Sequence, residues 1–327
     1  SFDYFFAIDF ETNFDASFNR NILNLIEEHK RGTRDEYSDG VVNSYEYGFI
    51  IENKDKCKSK QEDSFETGRN QKHVEHQFLD VRIKRVFVLD SCEGVQFKDL
   101  FGGEVTCEDV IEGESMINND IIQINFIDTH HYDTMKMMIA QKWAMKNCPN
   151  AEFILFVDDN FYVSMKNLLN FVLDPFTFEK QPNFVWGSSK LLKPLPSNYD
   201  GRLYAGYVHL DAKPIRNKLS KRRVSLQEYR YSHYPPYVDS GTIILSKSAL
   251  IDIYYASLYV KHFRLVDIYI GMLARIVKIK PLHSSHVFTS KLPYSKQIYS
   301  TVIASRGFNN YKQLEIVWQN QKRLKLA

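Results

Sequence analysis

One stretch limits the possible folds more than any other. It is the apolar run Phe153-Ile154-Leu155-Phe156-Val157, with a helical pattern directly before it and another directly after. A run this short, rich in aromatic and β-branched residues and ended by charge, reads as a buried strand. Upstream, Met135, Met138, Ile139 and Trp143 recur at i, i+3, i+4 and i+8, with Lys136, Gln141, Lys142 and Lys146 at other positions, which predicts an amphipathic helix. Asn147-Cys148-Pro149-Asn150 ends that helix, because proline cannot continue it and biases the preceding residue away from it. Downstream, Ser164 is a candidate N-cap for a helix carrying Leu168, Leu169 and Val172. Residues 47–51, 86–89, 121–126 and 242–245 read as further strands. Residues 250–258, the segment with Ile268, Met272, Leu273 and Ile276, and the tail from Asn310 read as helices. Such alternation predicts an α/β sandwich with a central, mostly parallel sheet. No internal repeat or low-complexity linker interrupts it, so one domain is expected.

Composition narrows the function classes. The chain has 327 residues, 44% hydrophobic and 25% charged, an ordinary globular balance with room for a large core. Its 42 basic and 40 acidic side chains leave a charge of +2, without the basic excess of a nucleic-acid binder. No apolar run approaches the roughly 18 residues of a membrane helix, and no secretory signal precedes the first strand. The 20 tyrosines and 23 phenylalanines read first as core filling. Four widely spaced cysteines lack a C-x-x-C pair and fit either two disulfides or four buried thiols. There is no N-x-S/T glycosylation acceptor.

The chemistry-bearing candidates are few. Asp158-Asp159-Asn160 follows the buried strand directly, where open α/β sheets place their ligands. Adjacent carboxylates repel unless a cation lies among them, and Mg²⁺ or Mn²⁺ with a diphosphate suits such oxygens; a solvated acidic turn is the other reading. Asp267 opens a predicted helix, as a dipole-stabilised acid or as a general base. His283 and His286 could complete a metal site or be polar surface. Thr134, Lys136 and the basic run from Lys218 to Arg223 could meet phosphates or simply be solvated. No G-x-S-x-G, Walker loop or dinucleotide fingerprint is present.

Taken in order, these segments resemble the β1,3-glycosyltransferase family of animal Golgi enzymes, and within it the Brainiac-type members. The resemblance rests on Phe126-Ile127-Asp128-Thr129 with Thr134, Lys136, Trp143 and Cys148-Pro149. It continues through Phe156-Val157-Asp158-Asp159-Asn160-Phe161-Tyr162-Val163-Ser164 and Lys166-Asn167-Leu168-Leu169. Pro214, Arg216, Lys218, Ser220-Lys221 and Val224-Ser225 are similar to the acceptor-side segment, and Tyr234-Pro235-Pro236-Tyr237-Val238 with Leu245-Ser246 to the next strand. His262-Phe263-Arg264, Asp267-Ile268-Tyr269 and Gly271 are similar to the catalytic-acid segment. Roughly residues 45–290 are covered.

The resemblance implies a GT-A-like α/β/α sandwich: residues 1–44 a lead-in or stem remnant, 45–305 the transferase domain, 306–327 a C-terminal helical tail. It implies inverting transfer of a hexose or N-acetylhexosamine, N-acetylglucosamine above all, from a UDP-sugar to a glycan or glycosphingolipid in β1,3 linkage. Asp267 is the implied base. Asp158, Asp159, Lys136 and Arg69 would bind the nucleotide sugar; Asp159, Asn160 and His283 would hold Mn²⁺ or Mg²⁺; Lys221 and Tyr237 would face the acceptor. An N-terminal signal anchor preceding Ser1 and a luminal Golgi location with oxidised cysteines are implied too. The chain departs from the family where Asn160 replaces a third aspartate, Val266 a second acid, and Arg222-Arg223 a Trp-Tyr pair. Those departures predict weakened metal use, and a catalytically silent homologue that binds a nucleotide sugar or a partner protein is the alternative.

Overall fold

The computed structural model describes residues 14, 21–58, 76–78, 81–98, 103–127, 133–180, 199–220 and 222–324. These residues fall into two compact units, 42–151 with 262–265 and a larger unit made of the rest. Helix α1 (Ile22–Lys30) opens the larger unit. The smaller unit then contributes β1 (Phe49–Ile51), the antiparallel pair β2 (His76–Phe78) and β3 (Val81–Ile83), β4 (Phe87–Ser91), and the antiparallel pair β5 (Gln96–Lys98) and β6 (Glu104–Thr106). Helix α2 (Cys107–Asn118), β7 (Ile121–Ile127) and helix α3 (Asp133–Asn147) complete it. Its sheet runs β1-β7-β4, antiparallel on the β1 side and parallel on the β4 side. Ile121, Ile122 and Ile124 of β7 are buried, as are Met138, Ile139 and Trp143 of α3, the predicted stripe. Gln141, expected among the polar positions, is fully buried as well. Two disulfides, Cys57–Cys148 and Cys92–Cys107, resolve the cysteine question and leave no free thiol.

The larger unit continues with β8 (Phe153–Val157), β9 (Phe161–Val163), α4 (Met165–Leu173), α5 (Pro175–Lys180), β10 (Tyr204–His209) and β11 (Tyr237–Ser246). It ends with α6 (Lys247–Ser257), α7 (Val266–Ile276), β12 (Leu282–His283), β13 (Val287–Phe288), α8 (Lys296–Tyr299), β14 (Ala304–Arg306) and α9 (Tyr311–Arg323). The N-cap reading of Ser164 holds: its hydroxyl accepts the Asn167 N–H. The C-terminal helix is capped by Asn310 and carries Lys322 and Arg323 in its last turn, where cations meet the helix dipole. One core cluster gathers Phe161, Leu168, Phe171, Phe178, Leu203, Ile244 and Ile303, each such burial contributing about 1.5–3 kcal/mol. Helix α1 buries Ile22, Ile26 and His29; the His29 ring stacks on Tyr255 of α6 and hydrogen-bonds the Tyr259 hydroxyl.

The four-stranded sheet of this unit runs β12-β10-β11-β8, and it corrects the expectation of a mostly parallel sheet. β11 is antiparallel to both β10 and β8, and only the β10–β12 contact is parallel. A parallel return needs a crossover, usually helical, whereas residues 210–236 between β10 and β11 hold no helix among the described residues. The chain is mixed α/β. The antiparallel course of β11 brings the C-terminal ends of β8, β10 and β12 to the same sheet edge as the first half of β11. Among the described residues no helix is long and apolar enough to cross a membrane.

Candidate active site

That sheet edge collects most of the candidate residues. Asp158-Asp159-Asn160 leaves the end of β8, held by three backbone bonds: Asp158 N–H to the Gly241 carbonyl (3.1 Å), and Gly307 N–H (3.1 Å) and Phe308 N–H (3.0 Å) to the Asn160 carbonyl. The Phe161 ring lies over Gly241 so closely that a Cβ there would stand 2.7 Å from it, so this turn and β11 approach only through a glycine. Asp158 and Asp159 are exposed, and an Arg306 nitrogen stands 3.9 Å from the Asp158 carboxylate. The Asn160 Oδ1 is buried with no hydrogen-bond partner. Phe308 also lines a cavity of about 480 Å³ with Leu292, Pro293, Tyr294, Tyr299 and Val317. Its lining is mostly apolar, with Lys291 and Gln313 the charged and polar members.

Asp267 reaches the same edge from α7. That helix packs on β11 through Gly271, whose Cβ would stand 2.5 Å from the Tyr237 Cβ and 3.2 Å from the Pro236 carbonyl. Asp267 lies four residues earlier, on the same face of the helix. Its carboxylate is buried; Oδ1 accepts the Ile268 N–H at 2.9 Å, and Oδ2 receives an Arg222 nitrogen at 3.4 Å. Burial pushes the Asp267 carboxyl above the ordinary carboxylate range. Arg222 and the Ile268 N–H pull it back, Asp239 pushes it further up, and His209 pulls it down.

β11 links the two spots. Gly241, which holds Asp158, donates its own N–H to Asp239 Oδ1 at 3.1 Å, and Asp239 acts electrostatically on Asp267. Asp239 Oδ2 also meets His209 Nε2 at 3.3 Å. The His209 ring stacks on Tyr237 at 4.8 Å, and burial with the charge of Asp267 raises the Tyr237 hydroxyl to about 12. Asp158, Asp159, Asn160, Tyr237 and Asp267 therefore share one sheet edge, with Asp239 and His209 added. Sequence reasoning missed those two. His209 and Asp239 are 30 residues apart, and only the β10–β11 pairing joins them.

The residues fit a divalent cation in part. Asp159 offers a carboxylate and Asn160 an unpartnered amide oxygen, a set that Mg²⁺ or Mn²⁺ completes with phosphate oxygens and water. No group of three or more His, Cys, Asp or Glu able to hold a metal occurs among the described residues. His283, the third expected ligand, is engaged elsewhere through one ring nitrogen. Its Nδ1 accepts the Val208 N–H at 3.1 Å, so that nitrogen's lone pair is already engaged by the backbone.

Lys136 lies in the smaller unit with its ammonium 2.6 Å from Asp90 Oδ2, so its charge already has a carboxylate partner. Asp90 is the next-to-last residue of β4 and was not singled out from the sequence. Arg69 and Lys221 lie outside the described residues.

Strand-end carboxylates and a buried helix-borne carboxylate at one sheet edge of a mixed α/β protein are groups of the kind that open α/β sheets present to ligands. Residues 66–285, well over half of the chain, match the family model described as Galactosyltransferase, and the chain belongs to that family. It is 34% identical over 245 residues, 75% of its length, to beta-1,3-galactosyltransferase brn of Drosophila melanogaster, spanning 66% of that protein. It is 28% identical over 258 residues to the lactosylceramide 1,3-N-acetyl-beta-D-glucosaminyltransferase of Homo sapiens, covering 78% of this chain and 60% of that one. It is 25% identical over 297 residues to beta-1,3-galactosyltransferase 1 of Mus musculus, covering 87% and 81%.

Proposed function

We propose that the chain is an inverting β1,3-glycosyltransferase that moves a hexose or N-acetylhexosamine, N-acetylglucosamine above all, from a UDP-sugar to a glycan or glycolipid acceptor. The reading rests on one observation above the rest: a buried carboxylate, Asp267, set by Gly271 against β11 at the edge that carries Asp158 and Asp159. The named relatives support a β1,3 linkage, and the two disulfides suit an oxidising lumen such as the Golgi. A GT-A-like arrangement, a type II anchor outside the described residues and transfer in the Golgi lumen belong to the same proposal.

Asp267 takes the proton of the acceptor hydroxyl while that oxygen bonds to the anomeric carbon. The bond from that carbon to the diphosphate oxygen breaks, and its electron pair leaves on UDP. Attack opposite the leaving group inverts the anomeric centre. A raised proton affinity suits a base that must accept a proton near neutral pH. Asp159 and Asn160 would hold Mn²⁺ or Mg²⁺, which when bound supplies positive charge to the departing diphosphate.

The test is transfer from UDP-N-acetylglucosamine and UDP-galactose to galactosyl and mannosyl glycosides, with Asp267→Asn alongside. The expected outcome is turnover by the native protein and a loss of about 10²–10⁴-fold in kcat for the variant, with UDP affinity kept. UDP binding without transfer by either protein would favour the silent homologue.

A further inference from the structure

Arg222 sits where an ordinary neutral-sugar acceptor has no need of a cation. One guanidinium nitrogen meets Asp267 Oδ2 at 3.4 Å, a long single contact, and 60% of the side chain is exposed to solvent. The side chain makes no second hydrogen bond among the described residues, so its remaining N–H donors face outward beside the base. A half-solvated pair of this kind contributes little to stability, which leaves the position open to another task.

The loop that carries it is built. Arg216 is buried and spans the loop from inside, donating to the Val224 carbonyl and the Tyr231 carbonyl, each at 2.9 Å. Val224 N–H closes the loop on the Ile215 carbonyl at 2.8 Å, and Arg222 N–H bonds the Ser220 hydroxyl at 3.2 Å. A buried arginine that satisfies two carbonyls is a costly way to shape a surface loop unless the shape matters. Tyr237, buried and stacked with His209, stands within electrostatic reach of Arg222, so the arginine lies beside the same packed corner of the sheet that holds Asp267.

We infer that Arg222 selects an acceptor sugar bearing an anionic group, a hexuronate or a sulfated hexose, by a bidentate contact made while the reactive hydroxyl faces Asp267. This rests on the transferase reading of the same site. The planar guanidinium fork matches a carboxylate or sulfate and is not replaceable by a point charge. Binding the anion draws Arg222 away from Asp267 and frees the carboxylate to take the hydroxyl proton, so the acceptor itself releases the base.

The experiment compares methyl glucuronide, methyl glucoside, sulfated methyl galactoside and methyl galactoside as acceptors, for the full chain and for Arg222→Gln and Arg222→Lys. The native protein should show kcat/KM about tenfold or more in favour of an anionic member over its neutral counterpart, carried by KM. The better of the two anions identifies the acceptor's charged group. Arg222→Gln should bring the ratio to about one, and Arg222→Lys should restore only part of it. Calorimetry with the methyl glycosides reads the same preference without turnover. Thermal unfolding reports whether each variant is folded.

A neutral acceptor preferred by the native protein, or an anionic preference that survives Arg222→Gln in a folded variant, overturns the inference. A loss of UDP affinity in Arg222→Gln also overturns it, by placing the arginine on the donor. Binding of the anionic glycoside lost in Arg222→Gln, with no transfer by any protein, sinks the transferase reading and leaves the Arg222 site standing.

Discussion

The two units hold themselves together in different ways. In the larger one, β11 buries eight of its ten residues and α7 buries everything from Asp267 to Ala274, and there is no cysteine. In the smaller one, α2 buries no residue fully and β5 is exposed along its length, yet both disulfides lie there. A layer with little apolar surface to bury loses little on opening, and cross-links offset this by restricting the unfolded chain. The larger unit gains its order from packing, and the buried carboxylate depends on that packing for its proton affinity. Rigidity by crowding thus accompanies the proposed chemistry, and rigidity by cross-link accompanies the more exposed layer.

The comparison breaks most visibly at Cys57–Cys148, which closes 91 residues of sequence. Replacing both cysteines by serine should cost about 4–5 kcal/mol. Hydrogen exchange should rise across residues 42–151 while β11 and α7 stay protected. Equal loosening of the two units would show that the cross-link does not serve the smaller one alone.

Gly271→Ala attacks the larger unit through packing. Its Cβ must push aside the Tyr237 Cβ at 2.5 Å, an overpacking that costs about 1–3 kcal/mol, and kcat should fall with it because α7 carries Asp267. Thermal unfolding and kcat measured together check this; a stable, fully active variant would remove the helix position from the account.

Asn160→Asp should tighten Mn²⁺ binding by about tenfold, since a carboxylate replaces a neutral oxygen near Asp159. Calorimetry of Mn²⁺ with UDP present reads this directly, and an unchanged affinity would take Asn160 out of the cation site.

The smallest effect is on pH dependence. Asp267 holds its proton more tightly in the folded chain than in the unfolded one, because burial raises its pKa from the ordinary 3.8. Its contribution to stability therefore grows as pH falls through the folded value, and the ionised form costs stability above it. Asp267→Asn should be as stable as the native chain or more so at neutral pH, with any advantage shrinking on acidification. The acid limb of kcat/KM should lie above pH 3.8, and Arg222→Gln should move it higher by removing a charge that lowers it. A limb unmoved by that change would disconnect the arginine from the base.

Much of the fold was legible because helices and caps are written locally. The Met135-to-Trp143 stripe, the Ser164 cap, the strand after Pro149 and the C-terminal helix from Asn310 all stand where periodicity and capping chemistry put them. The direction of β11 was not legible, because strand–helix alternation looks the same whether a long loop returns parallel or antiparallel. His283 shows the same limit: its residue type suits a cation, and only the β10–β12 pairing gives its Nδ1 to the Val208 N–H. The Asp90 partner of Lys136 and the Asp239 partner of His209 carry no signal in spacing.

The sequence by itself determined which side chains could do chemistry and which segments would be strand or helix, because residue type and periodicity are properties of neighbours along the chain. Only the tertiary structure decided who meets whom. Asp158 is joined to Asp267 through Gly241 and Asp239, and Asp267 faces Arg222, because β-sheet pairing and a glycine-permitted helix contact bring together residues more than a hundred positions apart. Burial and charge at that meeting point, and not the identity of aspartate, set the proton affinity on which the proposed chemistry depends.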